Sequence, residues 1–147
     1  MMAHSQPMLN QLNLVVQDMD ATVAFYRRLG LTIDAEAGAQ HIAVAFPNGM
    51  LVEFDSTQFV MQWDSGWRGT TGGGVVLGFS VPSREAVDTL YTDLIGAGYR
   101  SHQQPYDAFW GARYAIVDDP DGNSVGLMSP IDDQRKVWPP EPPPSNP

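Results

Sequence analysis

Leu12-Asn13-Leu14-Val15-Val16-Gln17-Asp18 runs into Thr22-Val23-Ala24-Phe25-Tyr26 and then Leu29-Gly30. The same order returns as Val75-Val76-Leu77-Gly78-Phe79-Ser80-Val81, followed by Ala86-Val87-Asp88-Thr89-Leu90-Tyr91 and Ala97-Gly98. Each time an apolar, strand-like run leads into a helical stripe that glycine closes. An offset of 65 residues carries Val16 onto Val81 and Tyr26 onto Tyr91. A second pair of segments repeats as well: Phe46-Pro47-Asn48-Gly49 before Met50-Leu51-Val52-Glu53-Phe54, and Asp119-Pro120-Asp121-Gly122 before Asn123-Ser124-Val125-Gly126-Leu127, at an offset of 73. Repeats of this size are supersecondary units that bury a full core by packing together. At these offsets Gln11 falls opposite Val76, and Glu53 opposite Gly126. One unit offers polar side chains where the other offers none.

Local signals extend the reading outward. Residues 9–17 are apolar enough for a largely buried strand, and Asp18 or Asp20 can cap the following helix by accepting from its free N–H groups. Val23, Phe25, Tyr26 and Leu29 form the helical stripe, with Gly30 as C-cap. Residues 31–36 and 41–46 read as short strands, and Asn48-Gly49 is a hairpin turn in which both residues tolerate positive φ. Strand 50–55 returns. In the second unit, strand 75–81 precedes a helix capped by Ser83, and strands near 99–103, 112–118 and 123–129 follow. The expectation is a single domain over 9–129, made of repeats 9–56 and 75–129. Its link, 57–74, carries a helical turn near 57–62 and ends in Gly72-Gly73-Gly74. The tail, 130–147, holds seven of the chain's twelve prolines, so it is expected to be extended or disordered.

Composition bounds the function. A chain of 147 residues with 43% hydrophobic and 17% charged residues reads as one globular domain with a real core. It has no apolar run of the roughly 18 residues that a membrane span needs. Residues 1–7 show neither a basic nor an apolar leader region, and the chain has no cysteine, which excludes thiol catalysis and thiolate metal sites. These readings agree with a cytoplasmic protein. A net charge of −9 argues against nucleic acid, whose phosphates demand a basic surface, and favours a cationic small molecule.

The tandem β-α-β-β-β pattern resembles the vicinal oxygen chelate superfamily, which includes glyoxalases, extradiol dioxygenases and bleomycin resistance proteins. Asp18, Phe25, Tyr26, Leu29 and Gly30 carry the resemblance, together with the Asp119-Pro120-Asp121-Gly122-Asn123 run. It implies an α+β fold in which the two units form a curved, open mixed sheet around a cup, in a chain that works as a homodimer. In metal-dependent members, ligands come from the first strand of each unit and the last strand of its hairpin. Those positions here are Gln11, Glu53, Val76 and Gly126. The last two have no donor atom, and a catalytic zinc wants three protein ligands. The resemblance therefore points toward the metal-free, bleomycin-resistance-like members and to no cofactor.

The remaining site residues follow from side-chain chemistry. Glu53, in an otherwise apolar strand, is the candidate acid or base; alternation puts Leu51, Glu53 and Asp55 on one side. His41 or His102 could complete a metal set or act as a base; His4 lies near the N-terminus. The stretch 104–113 should form a loop over the cup's rim, with Tyr106, Phe109 and Trp110 as flat surfaces and Asp107 and Arg113 as orienting charges. Trp63 and Trp67 in the link could line the same cavity. The expected function is metal-free binding or sequestration of a small, flat, apolar or cationic molecule. The alternative is a metal-dependent lyase, isomerase or dioxygenase-like enzyme using Gln11 and Glu53.

Overall fold

The computed structural model describes residues 6–146, so His4 and most of the 1–7 stretch lie outside the described residues. Strand β1 (Gln11–Val16) leads into α1 (Met19–Leu29), then β2 (His41–Ala45) and β3 (Leu51–Ser56). A 3-10 turn over Val60–Gln62 interrupts the link. The second unit is β4 (Val76–Ser80), α2 (Arg84–Gly96), β5 (Ser101–Asp107), β6 (Arg113–Asp118) and β7 (Ser124–Met128).

Both helices begin where the capping chemistry places them. Asp18 accepts from the Ala21 N–H at 3.0 Å, and Ser83 from the Ala86 N–H at 3.0 Å. Gly30 closes α1 at φ +124°, a conformation that disfavours any residue with a Cβ.

Two sheets result, ordered β1-β3-β2 and β4-β7-β6-β5. The parallel ladder of the first sets Asn13 against Glu53, and that of the second sets Gly78 against Gly126. These pairs are related by the offsets of 65 and 73, so ladder register and sequence repeat agree. Alternation sends Leu14, Val16, Ile42, Val44, Val52 and Phe54 to one face of the first sheet. Leu77, Ala115, Val117, Val125 and Leu127 occupy the equivalent face of the second, and one continuous core joins the two with the helices. Tyr26 of α1 spans the join, its ring 5.0 Å from Phe54 and 6.5 Å from Phe79. Among the described residues no helix is long and apolar enough to cross a membrane.

Two expectations need correction. Residues 31–36 form no strand. Ile33 is buried and its carbonyl is held by the Arg27 guanidinium at 2.6 and 3.0 Å, which takes the acceptor a ladder would use. The 104–113 stretch is not all loop: Gln104–Asp107 belong to β5, because Tyr106 pairs with Tyr114 and Asp107 with Arg113. The proline-rich tail contains a 3-10 turn at Asp133–Arg135 and is held to the body by hydrogen bonds at both ends.

Candidate functional site

Each sheet turns one face to the core and leaves the other open, and alternation decides what the open faces carry. On the first sheet these are Gln11 and Asn13 from β1, Glu53 and Asp55 from β3, and His41 from β2. Gln11, Asn13, Asp55 and His41 form one hydrogen-bonded chain, and Glu53 lies against its His41 end. Gln11 donates to Asn13 at 2.7 Å, and Asn13 donates to Asp55 at 3.0 Å. His41 Nδ1 lies against the other Asp55 oxygen, and His41 Nε2 is 3.3 Å from Glu53. The Asp55 side chain is fully buried and that of Glu53 15% exposed, whereas the His41 side chain is 37% exposed. Phe59 from the link packs its ring 5.1 Å from the imidazole. A buried carboxylate persists only when its lone pairs are satisfied, and Asn13 and His41 do this for Asp55.

The open face of the second sheet is aromatic. Tyr106, Trp110 and Tyr114 follow one another edge to face, with ring centroids 6.4 Å apart for Tyr106–Tyr114 and 5.2 Å for Trp110–Tyr114. The Trp110 indole N–H points at the Met128 sulfur at 3.4 Å. Burial raises the pKa of both Tyr106 and Tyr114 above the ordinary phenol value, so both stay neutral donors at physiological pH.

The register relates these two faces residue by residue. His41 pairs with Asp55, and Tyr114 with Met128; the offset of 73 maps the first pair onto the second and Glu53 onto Gly126. A Cβ at Gly126 would lie 2.7 Å from the Tyr114 hydroxyl. The phenol thus occupies the space into which an acidic side chain at that position would project.

A divalent metal of the kind the resemblance implies would meet few side-chain donors here. Val76 and Gly126 supply no donor, and Tyr114 covers the latter. His41 directs its two nitrogens at two separate carboxylates, so His41, Glu53 and Asp55 do not converge on one point. Among the described residues no three His, Asp or Glu side chains group as a metal cage. The Gln11–Glu53 donor set does not fit such an ion.

The other expected residues divide. Tyr106 and Trp110 share the aromatic face, and Phe109 stacks edge-on behind Trp110 at 5.2 Å. Asp107 and Arg113 do not join them. They lie on the helix side, where Arg113 pairs with Asp88 at 3.0 Å and Asp107 at 3.3 Å, and Asp107 also meets Arg84. Glu53 belongs to the other sheet. Trp67 borders an open recess of about 520 Å³ with Gln17, Met61 and Thr71, and Trp63 is exposed. His102 sits 3.2 Å from Asp118, away from the His41 chain. Asn13, Asp55, Tyr114 and Met128 went unread as site residues, although strand parity and the offset of 73 pointed to them.

A family model described as Glyoxalase/Bleomycin resistance protein/Dioxygenase superfamily matches residues 8–127. A glyoxalase/bleomycin resistance protein/dioxygenase from Nocardioides is 23% identical over 88% of this chain and 87% of its own, with a TM-score of 0.69. A glyoxalase-related enzyme from Fulvimarina pelagi is 21% identical over 85% of this chain and 89% of its own, TM-score 0.74. Lactoylglutathione lyase from Agrobacterium tumefaciens is 20% identical over 86% of this chain and 96% of its own, TM-score 0.62. At these identities the likeness is one of fold. No curated protein matches the chain in sequence.

Proposed function

Because the chain belongs to the glyoxalase/bleomycin resistance protein/dioxygenase superfamily, a fold that hosts unrelated chemistries, its activity has to be argued from its own side chains, and we propose that it binds a small, flat molecule, apolar or cationic, on the aromatic open face of its second sheet without using a metal. The observation that carries this reading is the Tyr114 phenol lying over Gly126. Where a chelating side chain could stand, the chain has a ring. Tyr106, Trp110 and Met128 extend that surface with groups suited to stacking and to polarisable contact. A net charge of −9 favours a cation among flat ligands. Exposed Met8, Leu9, Val75 and Val76 beside the free edges of β1 and β4 support the accompanying reading that the working form is a homodimer.

The test is calorimetric titration with proflavine, a flat cation, with spermidine as a cation that cannot stack. Saturable proflavine binding is expected, weakened in Trp110→Ala and Tyr114→Ala by about three- to tenfold each, since one aromatic contact is worth about 0.5–1.5 kcal/mol. Equal binding of spermidine, or no change in either variant, would overturn the reading.

A further inference from the structure

The family match ends at residue 127, yet the turn that presents Trp110 is held by residues beyond it. Gly111 closes that turn at φ +96°, its N–H bonded to the Ala108 carbonyl at 2.9 Å. The carbonyls on either side of Trp110 are both taken by the tail. Val137 donates to Phe109 at 2.9 Å, and Asp132 donates to Gly111 at 3.0 Å. The approach is so close that a Cβ at Gly111 would collide with the Asp132 carbonyl. A chain of edge-on rings then runs from the tail to the open face: Trp138 to Phe109 at 6.2 Å, Phe109 to Trp110 at 5.2 Å, Trp110 to Tyr114 at 5.2 Å.

The far end of the tail is fastened as well. β5 is a free edge of its sheet, and prolines without N–H groups cannot extend a ladder along it. Side chains do so instead. The Asn146 amide accepts from the Gln104 N–H at 2.6 Å and donates to the His102 carbonyl, and Gln104 donates its own amide to the Ser145 carbonyl at 2.6 Å. The intervening prolines are stiff, so a segment pinned at both ends transmits its position to the turn.

We propose that residues 132–146 form a strap that positions Trp110 on the aromatic face and so sets how tightly this protein holds a flat ligand. The proposal rests on the binding reading above, and it makes ligand affinity depend on residues outside the repeat. Trp138, Val137 and Asn146 are positioning residues.

The test uses the full chain labelled with 5-fluorotryptophan, its four fluorine resonances assigned by single Trp→Phe variants. Trp138→Ala should shift the Trp110 resonance and weaken proflavine binding about threefold or more, and Trp138→Phe should restore both. A chain ended after Ile131 should reproduce the Trp138→Ala effects. A Trp110 resonance left in place by both changes overturns the proposal, including the case where the shortened chain merely self-associates through its bared β5 edge. If proflavine fails to bind the intact chain, the functional reading falls, and the fluorine shift alone decides on the strap.

Discussion

The Tyr26 hydroxyl donates to the Asp119 carboxylate at 2.7 Å, joining α1 of the first unit to the β6–β7 hairpin of the second. Both groups are buried, and Asp119 also accepts from the Asp121 and Asn123 N–H groups and the Asn123 amide. One carboxylate therefore shapes the Asp-Pro-Asp-Gly-Asn turn and locks it to the Phe-Tyr helix. Tyr26→Phe should lower unfolding free energy by about 1.5–3 kcal/mol, the range for a hydrogen bond to a charged group, measured by urea denaturation at neutral pH.

The same bond sets an alkaline limit. Burial and Asp119 push the Tyr26 phenol well above its ordinary range, so folding favours its neutral form. The stabilisation from neutral Tyr26 is complete below the unfolded pKa of about 10 and is lost as pH rises beyond it. Wild type should lose stability above about pH 10, and Tyr26→Phe should lose less over that interval. Tyr106 and Tyr114, raised in the same direction, leave a residual slope in the variant. Equal slopes in urea midpoints between pH 9 and 11 would contradict the assignment.

Much of this arrangement was legible in the chain. Offsets of 65 and 73 set out which positions of the two units are equivalent, which the ladder registers repeat, and parity placed Glu53 and Asp55 together. What could not be read was which face Asp107 and Arg113 take. Register shifts break the β5–β6 ladder between Ser101 and Gln103 and again between Gln103 and Tyr106, so period-two counting along β5 fails. Residues 31–36 misled for a different reason: β2 leaves an edge beside them, but Arg27 holds the Ile33 carbonyl that a ladder would use. The tail's docking was invisible because its contacts come from Asn146, Gln104 and isolated backbone groups, which no periodicity records.

Asp55 has no exposed side-chain surface and holds both Asn13 and His41. Asp55→Ala removes the acceptor for two donors at once and leaves the His41 ring facing an apolar gap. We expect a loss of about 1–3 kcal/mol, the range for leaving hydrogen-bonding groups without their partner. Glu53→Gln, which keeps its volume and an acceptor oxygen, should cost under about 1 kcal/mol by the same denaturation assay.

Gly126 and Tyr114 make a paired test of the aromatic face. Gly126→Ala places a methyl 2.7 Å from the Tyr114 hydroxyl and 3.1 Å from its ring, so the ring must move. A cost of about 1–3 kcal/mol is expected for such overpacking, together with a changed near-ultraviolet dichroism. In a Tyr114→Ala background the same glycine change should cost little, a coupling that a double-mutant cycle reads directly. Additive effects would mean that the two residues do not share this space.

Arg113 separates support from recognition. Its guanidinium binds Asp88 and Asp107 on the helix side, whereas Tyr114, the next residue, faces the open surface. Arg113→Ala should cost about 1 kcal/mol, as these pairs are partly exposed, and leave proflavine affinity unchanged. A tenfold loss of affinity at unchanged stability would place the guanidinium at the ligand and require a different face for binding.

Metal affinity tests the donor argument independently of any ligand. Glu53 faces His41, the side chains of Val76 and Gly126 supply nothing, and Gln11, whose amide nitrogen donates to Asn13, offers only a neutral oxygen, so a divalent ion meets one carboxylate and one weak donor where three or more donors are needed. Calorimetric titration of chelator-washed, tag-free protein with nickel, zinc, cobalt and manganese should show no site tighter than about 0.1 mM, or roughly −5.5 kcal/mol. Glu53→Ala should leave these curves unchanged. A stoichiometric site abolished by that substitution would show that the His41–Asp55–Glu53 chain rearranges to coordinate an ion, and would return Glu53 to the centre of the chemistry.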